Sequence, residues 1–282
     1  MLKRASALFF AIVMLVMLFG CKREASKVEY IDIPLTNEQY AFGVNKNDTE
    51  LLNATNELLS ELKSNGELDK IINKYFSNDI SDIKTFGSGV EAKGRKQLVV
   101  ATHIPFSPFE YKIGDRYCGI DIEIADLLAE KLNAQLIIKE KPFNELFEAV
   151  ETGEADIVMA GLSVSADREK FVTFTDTYYE ASQVIIARQN DKTFSNCKTT
   201  ADVTGILNRM NKNTKIGYQN DTVSQLYVNG DTGWSFLGYS VTPVGYESAL
   251  KATRALANGD IDYVIVDEGP ARIIIKEINE RN

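Results

Sequence analysis

Four strand-like runs in this chain are each followed by residues able to hold a small charged molecule. "VVAT" leads into "HIPFSPF", with His103 and Phe106; "IVMAG" leads into "LSVSADR", with Ser163 and Arg168. "IGYQ", ending at Gln219, leads into Asn220, Asp221 and Thr222, and "YVIV" leads into Asp267. Arg168 carries a planar guanidinium fork that matches a carboxylate. Amide N–H groups at a helix opening beside Thr222 favour the same anion. Asp267 can accept an ammonium. Taken together, these groups complement a zwitterionic α-amino acid. Each has a plainer reading. Arg168 could bridge surface acids, Asp267 could cap a helix before Glu268, and Ser163 and Thr222 could cap turns. Phe106 and Phe143 could be core aromatics, and a lone histidine such as His103 could be structural.

The elements around these residues must place them together. From Gln97 onward, β-branched runs alternate with helical ones: "QLVVAT", "DIEIADLLAEKLN", "QLIIKE", "NELFEAVETG", "ADIVMAG", then "QVIIAR", "TKIGYQ", "YESALKATRALANG", "DIDYVIV" and "EGPARIIIKEI". Such alternation predicts an α/β fold with mostly parallel sheets. Ligands of open α/β sheets bind beyond the carboxyl ends of strands. A division near residues 178–182 suggests two lobes. Asp121 is the expected N-cap of its helix. Asp121, Asp156 and Asp262 read as scaffold acids that satisfy backbone groups.

The first part of the chain is organised differently. "KVEYIDIPL" and "YAFGV" are β-rich. Asp48 can cap a helix that puts Leu51, Leu52, Leu58, Leu59 and Leu62 on one face, with Asn65-Gly66 ending it. A second helix carries Leu68, Ile71, Ile72, Tyr75 and Phe76. Residues 77–96 are polar, contain glycine and show no period, so they read as a flexible linker.

With 282 residues, 44% of them hydrophobic and a net charge of −9, the composition is globular and argues against nucleic-acid binding. Lys3 and Arg4 precede an apolar run over residues 5–19. That run is shorter than the roughly 20 residues of a membrane-spanning helix, which favours an export signal. It ends in Leu18-Phe19-Gly20-Cys21, which resembles the lipobox of bacterial lipoproteins. That resemblance implies acylation of Cys21 and a protein held on a membrane surface in the cell envelope, facing the periplasm or the outside. Cys118 and Cys197 could pair, but their spacing does not require it. A single histidine, His103, leaves little basis for a multi-histidine metal site or a Ser-His-Asp enzyme. No metal or cofactor is expected.

"LVVATHIPFSPFEYKIGDRYCGIDIEIADLLAEKL" and "ADIVMAGLSVSADREKFVTFTDTYYEASQVIIAR" resemble the polar amino-acid-binding proteins of ABC importers, most of all their glutamine-binding branch. The resemblance covers nearly all of the chain after the signal. It implies a two-lobed periplasmic-binding-protein fold of type II, whose lobes are joined by a two-strand hinge and close on one amino acid. By the same resemblance, Phe106 and Phe143 sandwich the ligand, Gly161 and Ser163 contact its main-chain groups, and Arg168 and Thr222 hold its carboxylate. Asp267 takes the ammonium, and His103 and Gln219 complete the ligand-binding set. The chain departs from the pattern at His103 (often aspartate), Gln219 (lysine), Asp221 (glycine) and Val223 (a small or hydroxyl residue).

In that family the strand, hinge and two helices resembling residues 28–76 come last. Here they come first, which suggests a circular permutation. The expected layout is a signal over 1–20, a tether over 21–27, and a second-lobe strand with hinge over 28–39. First-lobe residues 40–76, a permutation linker over 77–96, first-lobe and hinge residues 97–182 and second-lobe residues 183–282 follow. The implied function is a lipid-anchored, monomeric binding protein, not an enzyme, that takes up a glutamine-like amino acid and docks on an ABC permease. The alternatives are a cyclohexadienyl-dehydratase-like enzyme, with Glu110 or Glu140 as acid, and a ligand-sensing lipoprotein.

Overall fold

In a computed structural model, residues 25–77, 81–90 and 94–281 are described. The expected signal and the acylation at Cys21 lie outside those residues. Two five-stranded sheets form two lobes. In the first lobe the order is β7 (Gln135–Glu140), β4 (Gln97–Thr102), β8 (Ile157–Val158), β3 (Gly43–Asn45), β9 (Val172–Phe174). In the second it is β1 (Val28–Ile31), β11 (Gln183–Arg188), β14 (Tyr263–Asp267), β12 (Lys215–Gln219), β13 (Thr242–Tyr246). The early segment therefore supplies one strand to each sheet.

The sheets are mixed rather than mostly parallel. β4 runs parallel to β7 and β8, while β3 is antiparallel to both β8 and β9. β12 is parallel to β13 and β14, while β11 is antiparallel to β1 and β14. Strands buried on both faces read as continuous apolar runs whichever way they point. β11 illustrates this: Val184 and Ile186 enter one core cluster and Ile185 and Ala187 the other.

Helix α1 (Thr49–Ser64) begins at Asp48, whose carboxylate accepts from the Leu51 N–H at 2.9 Å. It buries Leu51, Leu58, Leu59 and Leu62 against the first-lobe sheet. Gly66, at φ +74°, turns the chain into α2 (Glu67–Phe76). The lobes meet at a short antiparallel pair, β2 (Glu38–Tyr40) on β10 (Tyr179–Ala181).

Two further expectations change. α3 (Ile120–Lys131) starts one residue before Asp121 and has no side-chain cap. The Asp121 carboxylate instead accepts from the Gly161 N–H (2.9 Å) and the Tyr178 hydroxyl (2.6 Å). The described part of residues 77–96 is a docked strap, not a free linker. Phe86 exchanges two backbone bonds with Tyr117, the Ile138 N–H donates to Ser88 O, and Lys84 reaches Glu123. Ile83 and Phe86 pack on the lobe and hold the strap down. Among the described residues, no helix is long and apolar enough to cross a membrane.

Candidate functional site

The ends of β4, β8, β12 and β14 converge on a cavity between the lobes. It is lined by all nine residues expected from the sequence: His103, Phe106, Phe143, Gly161, Ser163, Arg168, Gln219, Thr222 and Asp267. Glu110, Ala160 and Val223 also line it.

Close packing fixes one wall. Gly161 sits at φ +52°, and a Cβ there would lie 2.5 Å from Phe106 Cε1. Only glycine lets the ring approach without strain. Phe106 stacks on Phe109 at 5.7 Å between centroids. Phe143 lies in a 3₁₀ turn (Phe143–Glu145), edge-on to His103 and 5.5 Å from the Arg168 guanidinium. His103 Nδ1 is 2.9 Å from Lys141 O. A carbonyl only accepts, so that nitrogen carries the proton.

A continuous hydrogen-bond seam crosses between the lobes. Arg168 Nη1 donates to Ser163 O (2.8 Å), and the Ser163 hydroxyl donates to Glu38 Oε2 (2.7 Å). Gln183 Nε2 lies 3.0 Å from both Glu38 Oε1 and Asp267 Oδ1. Asp267 Oδ1 also accepts from the Tyr40 hydroxyl (2.5 Å), and Ser224 donates to Gln183 Oε1 (2.7 Å). Burial, then the nearby Glu38 carboxylate, pushes Asp267 up to about 7, against the bonds from Tyr40 and Gln183. Burial lowers Arg168 from its ordinary value, opposed by the charges of Glu38 and Asp267.

In the second lobe, Gln219 Oε1 accepts from the Ala249 N–H (3.2 Å), and the Thr222 hydroxyl donates to Gln219 O (2.9 Å). Thr222 stands at the N-cap position of α6 (Val223–Asn229) without a side-chain cap bond, and Asp221 before it adopts φ +64°. The position expected to be glycine thus keeps a glycine-like backbone.

Glu110 stands apart from the other lining residues. It is 1% exposed, and neither carboxyl oxygen has a hydrogen-bond partner among the described residues. Burial, then Asp121, then Asp267, raises it well above the ordinary carboxylate range. Glu140, the other acid weighed from the sequence, is bound to Lys112 at 2.6 Å and is not part of the lining. Glu38 and Tyr40 were not expected either. Nothing in the polar run 36–39 sets Glu38 apart from its neighbours, and Tyr40 reads as one more residue of a β-rich run.

Comparison with known proteins places this geometry. The model of the bacterial extracellular solute-binding proteins, family 3, matches residues 3–78 and 98–229. The arginine-binding extracellular protein of Bacillus subtilis is 36% identical over 103 residues, which is 36% of this chain and 40% of the relative. The ABC transporter arginine-binding protein 1 of Escherichia coli is 30% identical over 185 residues, 65% of this chain and 66% of the relative. The histidine-binding periplasmic protein of Salmonella typhimurium is 25% identical over 69% of this chain and 70% of its own. The chain thus spans less than two thirds of the first two relatives. Among solved structures, an ancestral arginine-binding protein bound to glutamine aligns with a TM-score of 0.54 at 26% identity, covering 66% of this chain and 76% of that one. The substrate binding protein of an amino acid ABC transporter aligns at 0.53 and 28%, covering 64% and 75%. On these matches, the chain belongs to the bacterial extracellular solute-binding proteins, family 3.

Proposed function

We propose that the cavity binds one polar L-α-amino acid with a basic side chain, and that the protein delivers it to an ABC permease. Arg168 takes the α-carboxylate, and Asp267 takes the ammonium. The observation that carries the choice of side chain is the charge of the lining. Arg168 is its one permanent cation, yet Glu110 and Asp267 both line it, with Glu38 close behind. A ligand carboxylate and ammonium use Arg168 and Asp267 and leave Glu110 unmatched. An unpaired buried carboxyl is costly, and a guanidinium or imidazolium would answer it. Relatives named for arginine and histidine support this reading over the glutamine-like ligand expected from the sequence. Contacts from both lobes make the closed state the tighter binder, so the ligand shifts the population toward closure. The relatives are named as binding proteins, not enzymes, which disfavours a dehydratase.

A thermal-shift panel of the twenty amino acids tests the reading. A ligand at 100 times its Kd adds about 2.7 kcal/mol, or roughly 5–10 °C for a chain of this size. Arginine or histidine is expected to give the largest shift. If glutamine shifts the protein most, the basic-ligand reading falls, and if no amino acid shifts it, the binding assignment falls.

We further infer a circularly permuted chain, anchored through an acylated Cys21 beside the second lobe. Support comes from the family model matching in two separate segments, 3–78 and 98–229, and from β1 and β3 joining different sheets. A rearranged gene placing residues 97–281 before residues 28–77 is expected to fold and bind the same amino acid. Cys21→Ser is expected to move the protein from the membrane fraction to the soluble one.

A further inference from the structure

Glu110 and Asp121 form a buried carboxyl pair beside the cavity. Asp121 is 0% exposed and is pinned beneath the 106–110 loop by its own N–H, which donates to Phe109 O at 3.0 Å. Gly119 makes this approach possible: at φ +129°, a Cβ there would lie 2.1 Å from Phe109 O. The Asp121 oxygens are occupied by the Gly161 N–H and the Tyr178 hydroxyl, whereas those of Glu110 have no hydrogen-bond partner among the described residues, and Glu110 lines the cavity. Two carboxylates in one dry site do not both ionise readily, and the site has no cation of its own between them.

We propose that the empty site holds a proton on the Glu110–Asp121 pair, and that a cationic side chain entering the cavity expels it. This rests on the basic-ligand reading above. The step balances: the carboxyl O–H bond breaks, the proton passes to bulk water, and the new carboxylate pairs with the incoming cation. A neutral side chain leaves the proton in place. The groups facing the pair agree with this. Asp267, at the end of β14, adds negative charge, while the Tyr178 hydroxyl and the Gly161 N–H, as donors to Asp121, favour charge there and leave the proton to Glu110. Burial drives Glu110 far up and Asp121 to about 7. Arg168 and His103 share the lining, and Arg168 is spread over the Phe143 and Phe147 rings.

Two of these groups could also lose a proton, and the experiment separates them. Asp267 meets the ammonium of every amino acid, so its proton counts equally for arginine and glutamine. His103 could respond to a cation, so His103→Asn is measured alongside. Titration calorimetry of the full chain with arginine and with glutamine, in phosphate and in Tris at about pH 6 to 7, reads the protons released from the buffer dependence of the heat. Arginine is expected to release about one proton more than glutamine, in the wild type and in His103→Asn alike. Arginine affinity is expected to rise with pH more steeply than glutamine affinity, by up to about tenfold more per pH unit in this range. Glu110→Gln is expected to remove both the extra proton and the difference in slope.

Equal proton release for the two ligands, when both bind, overturns the proposal and leaves the binding reading intact. Loss of the difference in His103→Asn assigns the proton to the imidazole and overturns it as well. Carboxyl carbon NMR of the ligand-free protein decides the matter even if neither amino acid binds. One glutamate signal, absent in Glu110→Gln, is expected to remain protonated at about pH 7, and titration of every glutamate near about pH 4–5 overturns the proposal.

Discussion

The cavity is bounded by two polar regions built on opposite principles. The seam from Arg168 through Ser163, Glu38 and Gln183 to Asp267 and Tyr40 is hydrogen-bonded at every step and crosses from one lobe to the other. The Glu110–Asp121 corner lies within the first lobe and leaves one carboxyl without a hydrogen-bond partner among the described residues. A satisfied seam fixes geometry, since each polar group has its bond before any ligand arrives. An unsatisfied corner holds a cost that a ligand can remove, and the removal is selective for charge. The first region suits what all amino acids share, and the second suits what tells them apart.

The comparison breaks most sharply at Arg168. Arg168→Ala removes the lining's permanent cation and is expected to weaken binding of any amino acid more than about 100-fold, or roughly 3 kcal/mol. Calorimetry should show arginine and glutamine affected alike, because the loss falls on the shared end. A variant that spares glutamine would merge the two regions. Glu38→Gln tests the seam itself. The Glu38 carboxylate accepts from Thr36, Ser163 and Gln183, and an amide would turn two donors toward one of them. The expected cost is about 2 kcal/mol of stability, read by urea unfolding, with little change in the ratio of arginine to glutamine affinity.

How much of this was legible in the sequence follows the same divide. The strand ends and the α1 face came from hydrophobic spacing alone, and Leu51, Leu58, Leu59 and Leu62 do point one way. The cavity-lining residues came from their position after strands and from motif resemblance. Asp121 was misplaced as a cap because its partner, the Gly161 N–H, comes from another strand end 40 positions away. Glu110 was weighed only as a candidate acid because burial of a charge between Phe109 and Tyr111 is a tertiary fact. The docked strap was missed because Ile83 and Phe86 are isolated apolar residues in a polar run, with no period to announce them. Strand direction was misjudged because apolar composition does not encode it.

The acids also set a pH dependence. Asp267 and Asp121 are both pushed up to about 7 from an ordinary value near 3.8. The native state then binds more protons than the unfolded chain across that window. Unfolding free energy therefore falls as pH rises from about 4 to 7 and levels off above. The ligand-free protein is expected to melt lower at pH 8 than at pH 5, by on the order of 10 °C. Arginine should recover much of this loss at pH 8, which a melting series with and without ligand would check. A melting point that rises steadily toward pH 8 would mean that these carboxyls are ionised in the native state.

The smallest expected effect lies outside both regions. Asp221 is exposed and adopts φ +64°, just before Thr222, while its N–H donates to Gln225 Oε1 at 2.8 Å. The backbone bond survives any substitution except proline, but a side chain at positive φ carries strain that glycine does not. Glycine gives back part of that gain through its greater freedom when unfolded. Asp221→Gly is therefore expected to raise stability by only about 0.5 kcal/mol, or 1–2 °C in Tm. The Asp221 carboxylate is not part of the lining, so the preference between arginine and glutamine should not move. A changed preference would show that the opening of α6 contributes to selectivity, and the side-chain end of the site would then extend into the second lobe.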